Sequence, residues 1–146
     1  MGMFDAINIS ASGLTAQSFR MDVVAQNIAN ATTTRTADGT PYQRRTTVLA
    51  EGRSIRFSDV LAERRGQSTA GSGVRVVDTP ADQSDFKLQY DPNHPDANEE
   101  GYVQMPNVDI VREYVDMISA SRSYEANLTV VNASKKMAAK ALEIGR

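Results

Sequence analysis

The feature that most constrains this chain is a seven-residue apolar repeat near its N-terminus. Large apolar residues recur at every seventh position, and small residues occupy the seam positions between them. This alternating spacing of four and three is typical of a helix that packs along one seam, and the small residues let a partner helix approach closely. We therefore predict a helix from about Phe4 to Asn30. Its seam residues are Ile7, Ala11, Leu14, Ser18, Met21, Ala25 and Ile28.

The polar surface of this predicted helix carries few charges. Asp5, Arg20 and Asp22 are its charged residues, and the remaining polar residues are Ser, Thr, Asn and Gln. A helix face that meets only water is commonly rich in Lys and Glu. We interpret the uncharged surface as that of a helix contacted on several sides in an assembly. An ordinary amphipathic helix in a small bundle remains the alternative.

A second long helix is predicted at the other end of the chain, from about Asn107 to Ile144. Its stripe advances in steps of three and four, and Asn107 is placed to cap its start. The two seams can pair as an antiparallel coiled coil, and neighbouring copies of the chain would cover the surface left over. The predicted assembly-interface residues on this helix are Val111, Tyr114, Ile118, Ser121, Tyr124, Leu128, Val131 and Leu142.

The segment between the helices predicts a small β-rich domain. Its short strand candidates are Thr46–Leu49, Ile55–Phe57, Val74–Val77, Phe86–Tyr90 and Tyr102–Val103, and the polar, glycine-containing stretch 63–73 predicts a mobile loop. Strands this short bury little apolar area, so we expect modest independent stability. The predicted fold class is therefore α+β, with an N-terminal core helix in residues 1–30, a β-rich middle domain in 31–106 and a C-terminal core helix in 107–146.

The composition argues against several classes of function. The chain has no cysteine, which excludes thiol catalysis, disulfides and thiolate-ligated zinc. A net charge of −2 provides no basic field for nucleic acid. No apolar stretch approaches the roughly 18 residues of a membrane-spanning helix. The N-terminus shows no signal-peptide pattern.

The single histidine, His94, lies among four acidic residues, a composition that could hold a cation. The spacing matches no standard metal-binding loop, and Pro92 and Pro95 constrain the turn, so we favour a structural turn. A cell-wall hydrolase that uses a carboxylate pair such as Asp96 and Glu99 is a weaker hypothesis. We predict no catalytic, cofactor-binding or metal site. The acidic residues are Asp91, Asp96, Glu99 and Glu100.

Three stretches of the sequence resemble the bacterial flagellar rod, hook and hook-associated axial family. The first is SASGLTAQ at residues 10–17, which leads into NIANATT at residues 27–33 and carries the signature of the wider family. The others, YDPNHPDANEEGYV at residues 90–103 and MISASRSYEAN at residues 117–127, look like its C-type proximal-rod members. The family motif falls on Asn27, Ile28, Ala29 and Asn30. The resemblance leaves open whether these residues act in packing, in export or in both.

The resemblance implies a structural function in the basal body. Members of this family are exported unfolded by the flagellar type III apparatus, without signal cleavage, and stack helically into the periplasm-spanning rod that transmits torque. The implied partners are further copies of the chain, other rod proteins of the proximal and distal types, the rod-to-ring adaptor and the export apparatus. No cofactor, nucleic acid or small-molecule substrate is implied. A soluble coiled-coil adaptor is the alternative hypothesis.

Overall fold

A computed structural model describes residues 3–52, Arg64 and residues 73–144. The predicted α+β class, with two long terminal helices that pack against each other and a small β-containing region between them, is confirmed. The predicted strand at residues 55–57 and most of the predicted loop at 63–73 lie outside the described residues. The elements are α1 Met3–Ala29, β1 Val48–Glu51, β2 Val74–Asp78, β3 Lys87–Tyr90, β4 Tyr102–Met105 and α2 Ile110–Ile144.

The two helices are antiparallel. Asn27, near the end of α1, contacts Glu113, near the start of α2. Gly13, earlier in α1, lies against Asn127, later in α2, where a Cβ added to the glycine would be 2.9 Å from the asparagine Nδ2. Later residues of one helix thus meet earlier residues of the other, and the glycine allows their backbones to approach closely.

The start of α2 differs from the prediction. Asp109 caps the helix, because its Oδ1 accepts hydrogen bonds from the N–H groups of Val111 and Arg112 at 3.1 and 3.4 Å. The prediction that Asn107 caps the helix is wrong. Its side chain serves another contact, in which Oδ1 accepts the backbone N–H of Arg44 at 2.8 Å.

The chain divides into two compact units, and each unit contains part of both helices. The first comprises Met1–Phe19, Leu49–Val77 and Ala120–Arg146, and the second comprises Arg20–Val48 and Asp78–Ser119. Strands β1 and β2 form one two-stranded sheet, and β3 and β4 form another. The segment boundaries predicted from the sequence stay a prediction.

In the first unit, the start of β2 is fastened to α1. The Ser12 hydroxyl donates to the carbonyl of Ile9 at 2.6 Å and accepts the N–H of Val74 at 3.0 Å. Beside it, Gly73 has φ +88° and accepts a hydrogen bond from the N–H of Gly52 at 2.7 Å. A Cβ on Gly73 would overlap the Ser12 hydroxyl. This position therefore needs glycine both for its left-handed backbone and for space.

In the second unit, β3 and β4 form an antiparallel hairpin. Lys87 pairs with Met105 and Tyr90 pairs with Tyr102. The two tyrosine rings meet edge to face, with centroids 5.3 Å apart and planes at 66°, which is a favourable aromatic geometry. On the opposite face of the hairpin, Val103 is buried and belongs to the small apolar core.

Candidate assembly surface

Asn27, the first residue of the family motif, uses every hydrogen-bonding position of its buried side chain. Its Nδ2 donates to the carbonyl of Arg45 at 2.8 Å and to Oε2 of Glu113 at 3.0 Å. Its Oδ1 accepts the N–H of Arg45 at 2.9 Å and the hydroxyl of Tyr42 at 2.9 Å. A side-chain amide can form four such bonds. One residue of α1 therefore holds both the extended segment at residues 42–45 and the start of α2.

Glu113 is the α2 residue at this junction, and its side chain is completely buried. Its Oε1 accepts the Nε of Arg44 at 2.6 Å. The same guanidinium lies 3.4 Å from Asp116, whose other oxygen accepts a 3.0 Å hydrogen bond from Arg20. A buried carboxylate is stable only when it is paired and hydrogen-bonded, and both oxygens of Glu113 are. We call this cluster the polar clamp: Arg20, Asn27, Tyr42, Arg44, Glu113 and Asp116.

The hydroxyl of Tyr42 is held in its protonated form. Burial raises its pKa above the ordinary value, Arg45 opposes that shift and Glu113 adds to it. Because the hydroxyl keeps its proton, it remains the donor that Asn27 Oδ1 requires.

Asn107 connects the backbone of the clamp residue Arg44 to the backbone at Asp82 and Ser84. Besides accepting the N–H of Arg44, it donates through Nδ2 to the carbonyls of Asp82 and Ser84 at 3.0 and 3.2 Å. Hydrogen bonds from Ser84 hold the pKa of the Asp82 carboxyl below its ordinary value. The backbone around residues 44 and 82–84 is thereby fixed beside the start of α2.

The rest of the family motif ends α1. Asn30 donates through Nδ2 to the carbonyl of Gln26 at 2.9 Å, and its Oδ1 accepts the Thr33 hydroxyl at 3.3 Å. Ile28 is half-buried and Ala29 is exposed. Asn27 and Asn30 therefore both have structural contacts, one to neighbouring elements and one at the helix end.

The large apolar residues at the start of α2 lie on its exposed side. Val111, Tyr114, Val115 and Ile118 are 72%, 52%, 62% and 54% exposed. Their spacing of i, i+3, i+4 and i+7 places them on one helical face, and Glu113 lies on the opposite face. A contiguous exposed apolar patch marks an interaction site. We call these four residues the outer α2 face.

The contact line of α1 is offset from the predicted seam. The large seam residues Ile7, Leu14, Met21 and Ile28 are half-buried, and the small ones, Ala11, Ser18 and Ala25, are exposed. Among residues 5–29 of α1, the buried ones are Ser10, Ala16, Val23, Val24 and Asn27. The buried side of α1 therefore consists of two valines with small and polar residues, and much of the predicted seam surface remains accessible.

The predicted interface residues farther along α2 divide in the same way. Ser121, Tyr124 and Val131 are half-buried, and Leu128 and Leu142 are exposed. Among residues 110–143 of α2, the buried ones are Glu113, Ala120 and Ser134, separated by seven and by fourteen positions. The seven-residue period holds, but small or polar residues occupy its most buried line.

Sequence reasoning missed six residues of this region, namely Val115 and the clamp residues Arg20, Tyr42, Arg44, Glu113 and Asp116. Val115 carried a usable signal, because it completes the i, i+3, i+4, i+7 pattern that begins at Val111. Arg44, Tyr42 and Glu113 carried none, since an isolated arginine, tyrosine or glutamate is usually a surface residue. Only their convergence on the hydrogen bond between Asn27 and Glu113 distinguishes them: Tyr42 bonds Asn27, and Arg44 bonds Glu113.

The segment around His94 is a hydrogen-bonded turn. The Nδ1 of His94 accepts the N–H of Asp96 at 3.1 Å, and the Asp96 carboxylate accepts the Thr34 hydroxyl at 2.8 Å. Across residues 3–52, 64 and 73–144, no group of three or more His, Cys, Asp or Glu side chains is arranged to hold a metal ion. No helix in the described part of the chain is long and apolar enough to cross a membrane.

Known proteins match this chain at both ends and over its whole length. The family described as flagella basal body rod protein matches residues 7–35, and the C-terminal family of flagellar basal body rod FlgEFG proteins matches residues 99–144. The flagellar basal-body rod protein FlgC of Bacillus subtilis (strain 168) is 50% identical over 100% of both chains. This chain belongs to the flagellar basal-body rod protein family.

Two further FlgC rod proteins agree with this assignment. The one from Borreliella burgdorferi is 47% identical over 99% of this chain and 98% of its own. The one from Escherichia coli O157:H7 is 40% identical over 100% of both. The rod-family matches include Asn27 at one end, and Glu113 and the outer α2 face at the other. Tyr42 and Arg44, which complete the polar clamp, lie outside both matched regions.

Proposed function

We propose that this chain is a structural subunit of the proximal rod of the bacterial flagellar basal body. It polymerises through its terminal helices and forms part of the drive shaft that transmits torque for motility. Full-length similarity to FlgC rod proteins supports this assignment. The mechanism is mechanical: repeated helix contacts distribute the torsional load between neighbouring subunits.

The outer α2 face is the observation that carries the proposal. Four large apolar residues stand on one side of a helix whose other side is already occupied by the polar clamp. Burial of an exposed aliphatic or aromatic side chain contributes about 1 to 2 kcal/mol when half or more of it leaves water. A neighbouring subunit that covers this face gains that free energy without breaking any contact within the chain.

Membership of the rod family supports a proposal about particular partners. We infer that it assembles with its own copies, with the other proximal and distal rod proteins and with the rod-to-ring adaptor. We also infer that the type III export apparatus delivers it, without a cleaved signal peptide, to the periplasm-spanning rod. Under this proposal Asn27 acts in packing in the folded chain, and the N-terminal segment is available to export factors before α1 folds.

The same reasoning favours a non-catalytic protein. The most buried carboxylate, Glu113, has both oxygens engaged by Asn27 and Arg44. The Asp96 of the conceivable hydrolytic pair is held by Thr34 and by Arg35 at 3.6 Å. Carboxylates with such fixed partners stabilise turns and helix contacts rather than activate water.

The test replaces Ile118 by Asp in the organism that encodes the chain. We expect no assembled rods in electron micrographs and no swimming, because a carboxylate cannot be buried in an apolar contact. Ile118→Leu is the matched control and should keep both. Complete rods in cells carrying Ile118→Asp would refute assembly through this face.

The purified chain separates this proposal from a soluble coiled-coil adaptor. An adaptor would form one discrete oligomer that melts cooperatively. A rod subunit should remain monomeric when dilute and associate without a closed stoichiometry as its concentration rises. Leu14→Asp, on the accessible surface of α1, should prevent that association, and sedimentation velocity measures it. A closed oligomer unchanged by Leu14→Asp would favour the adaptor.

A further inference from the structure

One exposed face of the β3–β4 hairpin is apolar and has acidic residues next to it. Leu88, Tyr90 and Tyr102 are 66%, 65% and 41% exposed. They share a face because strand residues alternate and Tyr90 pairs with Tyr102. Glu99 and Glu100 are also exposed and lie in the turn that leads into β4. We call these five residues the hairpin patch.

The last part of α2 has the opposite charge beside a similar apolar surface. Leu128, Lys135 and Leu142 are spaced by seven residues, so they share one helical face, and all three are exposed. Ala139 lies on the same face, and Lys136 adjoins it. We call this set the C-terminal patch: Leu128, Lys135, Lys136, Ala139 and Leu142.

The charged side chains of both patches have no ion-pair partner among the residues that the structure describes. Within the part of the chain that the structure describes, Glu99, Glu100, Lys135 and Lys136 form no ion pair. Asp116, by contrast, is engaged by Arg20 and Arg44. The hairpin patch presents two carboxylates beside three apolar side chains, and the C-terminal patch presents two ammonium groups beside three apolar side chains. The two patches are therefore complementary in charge, and each offers apolar surface to the other.

We propose that the hairpin patch of one copy binds the C-terminal patch of a second copy. Two different patches of the same chain then meet, so the contact is heterologous, and each bound pair of copies leaves one hairpin patch and one C-terminal patch open. This is the kind of contact that an open polymer requires. The inference rests on the proposed rod function, because it supplies a lateral contact for that polymer in addition to the outer α2 face.

Charge reversal with mixing tests the proposal on the full-length purified chain. One variant carries Glu99→Lys and Glu100→Lys, and the other carries Lys135→Glu and Lys136→Glu. Each alone presents like charges at the contact and should associate about tenfold more weakly than wild type at low salt. An equal mixture should recover association, because each basic patch then meets an acidic one. Sedimentation velocity measures all three samples.

A matched control changes the net charge without touching either patch. Asp22→Lys with Glu125→Lys makes the same change in net charge as Glu99→Lys with Glu100→Lys, at two other exposed helix positions, and should associate as the wild type does. Circular dichroism confirms that every variant is folded. The recovered association in the mixture should weaken again as salt is added, because exposed pairs are screened.

Zero-length carbodiimide cross-linking identifies the contact directly. An equal mixture of ¹⁴N-labelled and ¹⁵N-labelled wild-type chains should yield cross-linked peptides that join Lys135 or Lys136 to Glu99 or Glu100 with mixed labels. The absence of these mixed-label pairs, or failure of the variant mixture to recover association, overturns the proposed contact. If the contact fails while Ile118→Asp still abolishes rods, the rod function stands and only this lateral contact is wrong.

Discussion

The two sides of α2 near its start reverse the arrangement found in most soluble helix pairs. The side that faces α1 presents Glu113, whose charge is buried among Asn27 and Arg44. The side that faces outward presents four large apolar residues, of which Val111 is 72% exposed. Ordinary amphipathic helices bury the apolar side and expose the charged one.

The reversal separates two physical tasks. A buried polar cluster contributes little net stability, but it tolerates few alternative arrangements because each misplaced partner leaves a buried charge unpaired. Apolar contacts are less selective in register but provide more association free energy. We infer that the inner side sets how the helices of one chain align and that the outer side provides free energy for contacts between chains.

Glu113→Ala should have the largest effect and lower the free energy of unfolding by about 3 kcal/mol. The substitution leaves Arg44 without its closest acceptor and one donor of Asn27 unpaired. Urea denaturation followed by circular dichroism measures the change. Glu125→Ala, at an exposed position of the same helix, is the control and should stay within about 0.5 kcal/mol. Equal losses in the two variants would contradict the clamp.

Asn27→Leu should lower the free energy of unfolding by about 2 kcal/mol. Leucine has a similar size, but it removes the acceptor of the Tyr42 hydroxyl and one donor to Glu113. Asn8→Leu places the same change at an exposed position of α1 and should be nearly neutral. A loss below about 0.5 kcal/mol for Asn27→Leu would show that the motif residue does not hold the helices together.

Gly73→Ala tests the corresponding fastening in the first unit. We expect a loss of about 2 kcal/mol, because alanine is strained at this positive φ and its Cβ would displace the Ser12 hydroxyl. Gly39 also has a positive φ, of +77°, but has no atom near the position of an added Cβ. Gly39→Ala should therefore lose only about 1 kcal/mol, and the difference in thermal or urea unfolding isolates the contact with Ser12.

The pH dependence at alkaline pH should report the burial of Tyr42. Its pKa is raised in the folded chain, so its contribution to stability is complete below the unfolded value near 10 and is lost as the pH rises through the folded value. The free energy of unfolding should therefore fall more steeply above about pH 10 in the wild type than in Tyr42→Phe. The effect is small, because Tyr42 is only partly buried and solvent screens it. Parallel curves for the two proteins would contradict this assignment.

Val115→Asp should have the smallest effect on the isolated chain and a large one on assembly. The side chain is 62% exposed, so the free energy of unfolding should change by no more than about 0.5 kcal/mol. In cells, the same change should block rod formation as strongly as Ile118→Asp, because both residues belong to the outer α2 face. A variant that unfolds more easily but still builds rods would reverse the roles assigned to the two sides.

Much of the architecture could be predicted from local patterns. The seven-residue spacing in α1 and the steps of three and four in α2 predicted two long helices, and alternating apolar residues predicted strands that overlap β1, β2, β3 and β4. The start of α2 was predicted wrongly. Asn107 and Asp109 are both good capping residues, and the choice between them depends on Asn107 being engaged by Arg44.

The polar clamp could not be predicted, since its members are distant in the chain. Arg44 and Glu113 are 69 residues apart, and Asn27 and Glu113 are 86 apart. No periodicity joins positions on a helix end, an extended segment and a second helix. The outer α2 face was predicted in part, through Val111, Tyr114 and Ile118.

The sequence by itself determined the helices, their period, the family and the apolar residues available for association, because these depend on neighbours a few positions away or on motifs read along the chain. Only the tertiary structure decided which side of each helix faces inward. That choice depends on whether a buried charge finds partners for all of its polar atoms, and Glu113 finds them in Asn27 and Arg44. The polar side was therefore buried and the apolar side left exposed for a partner.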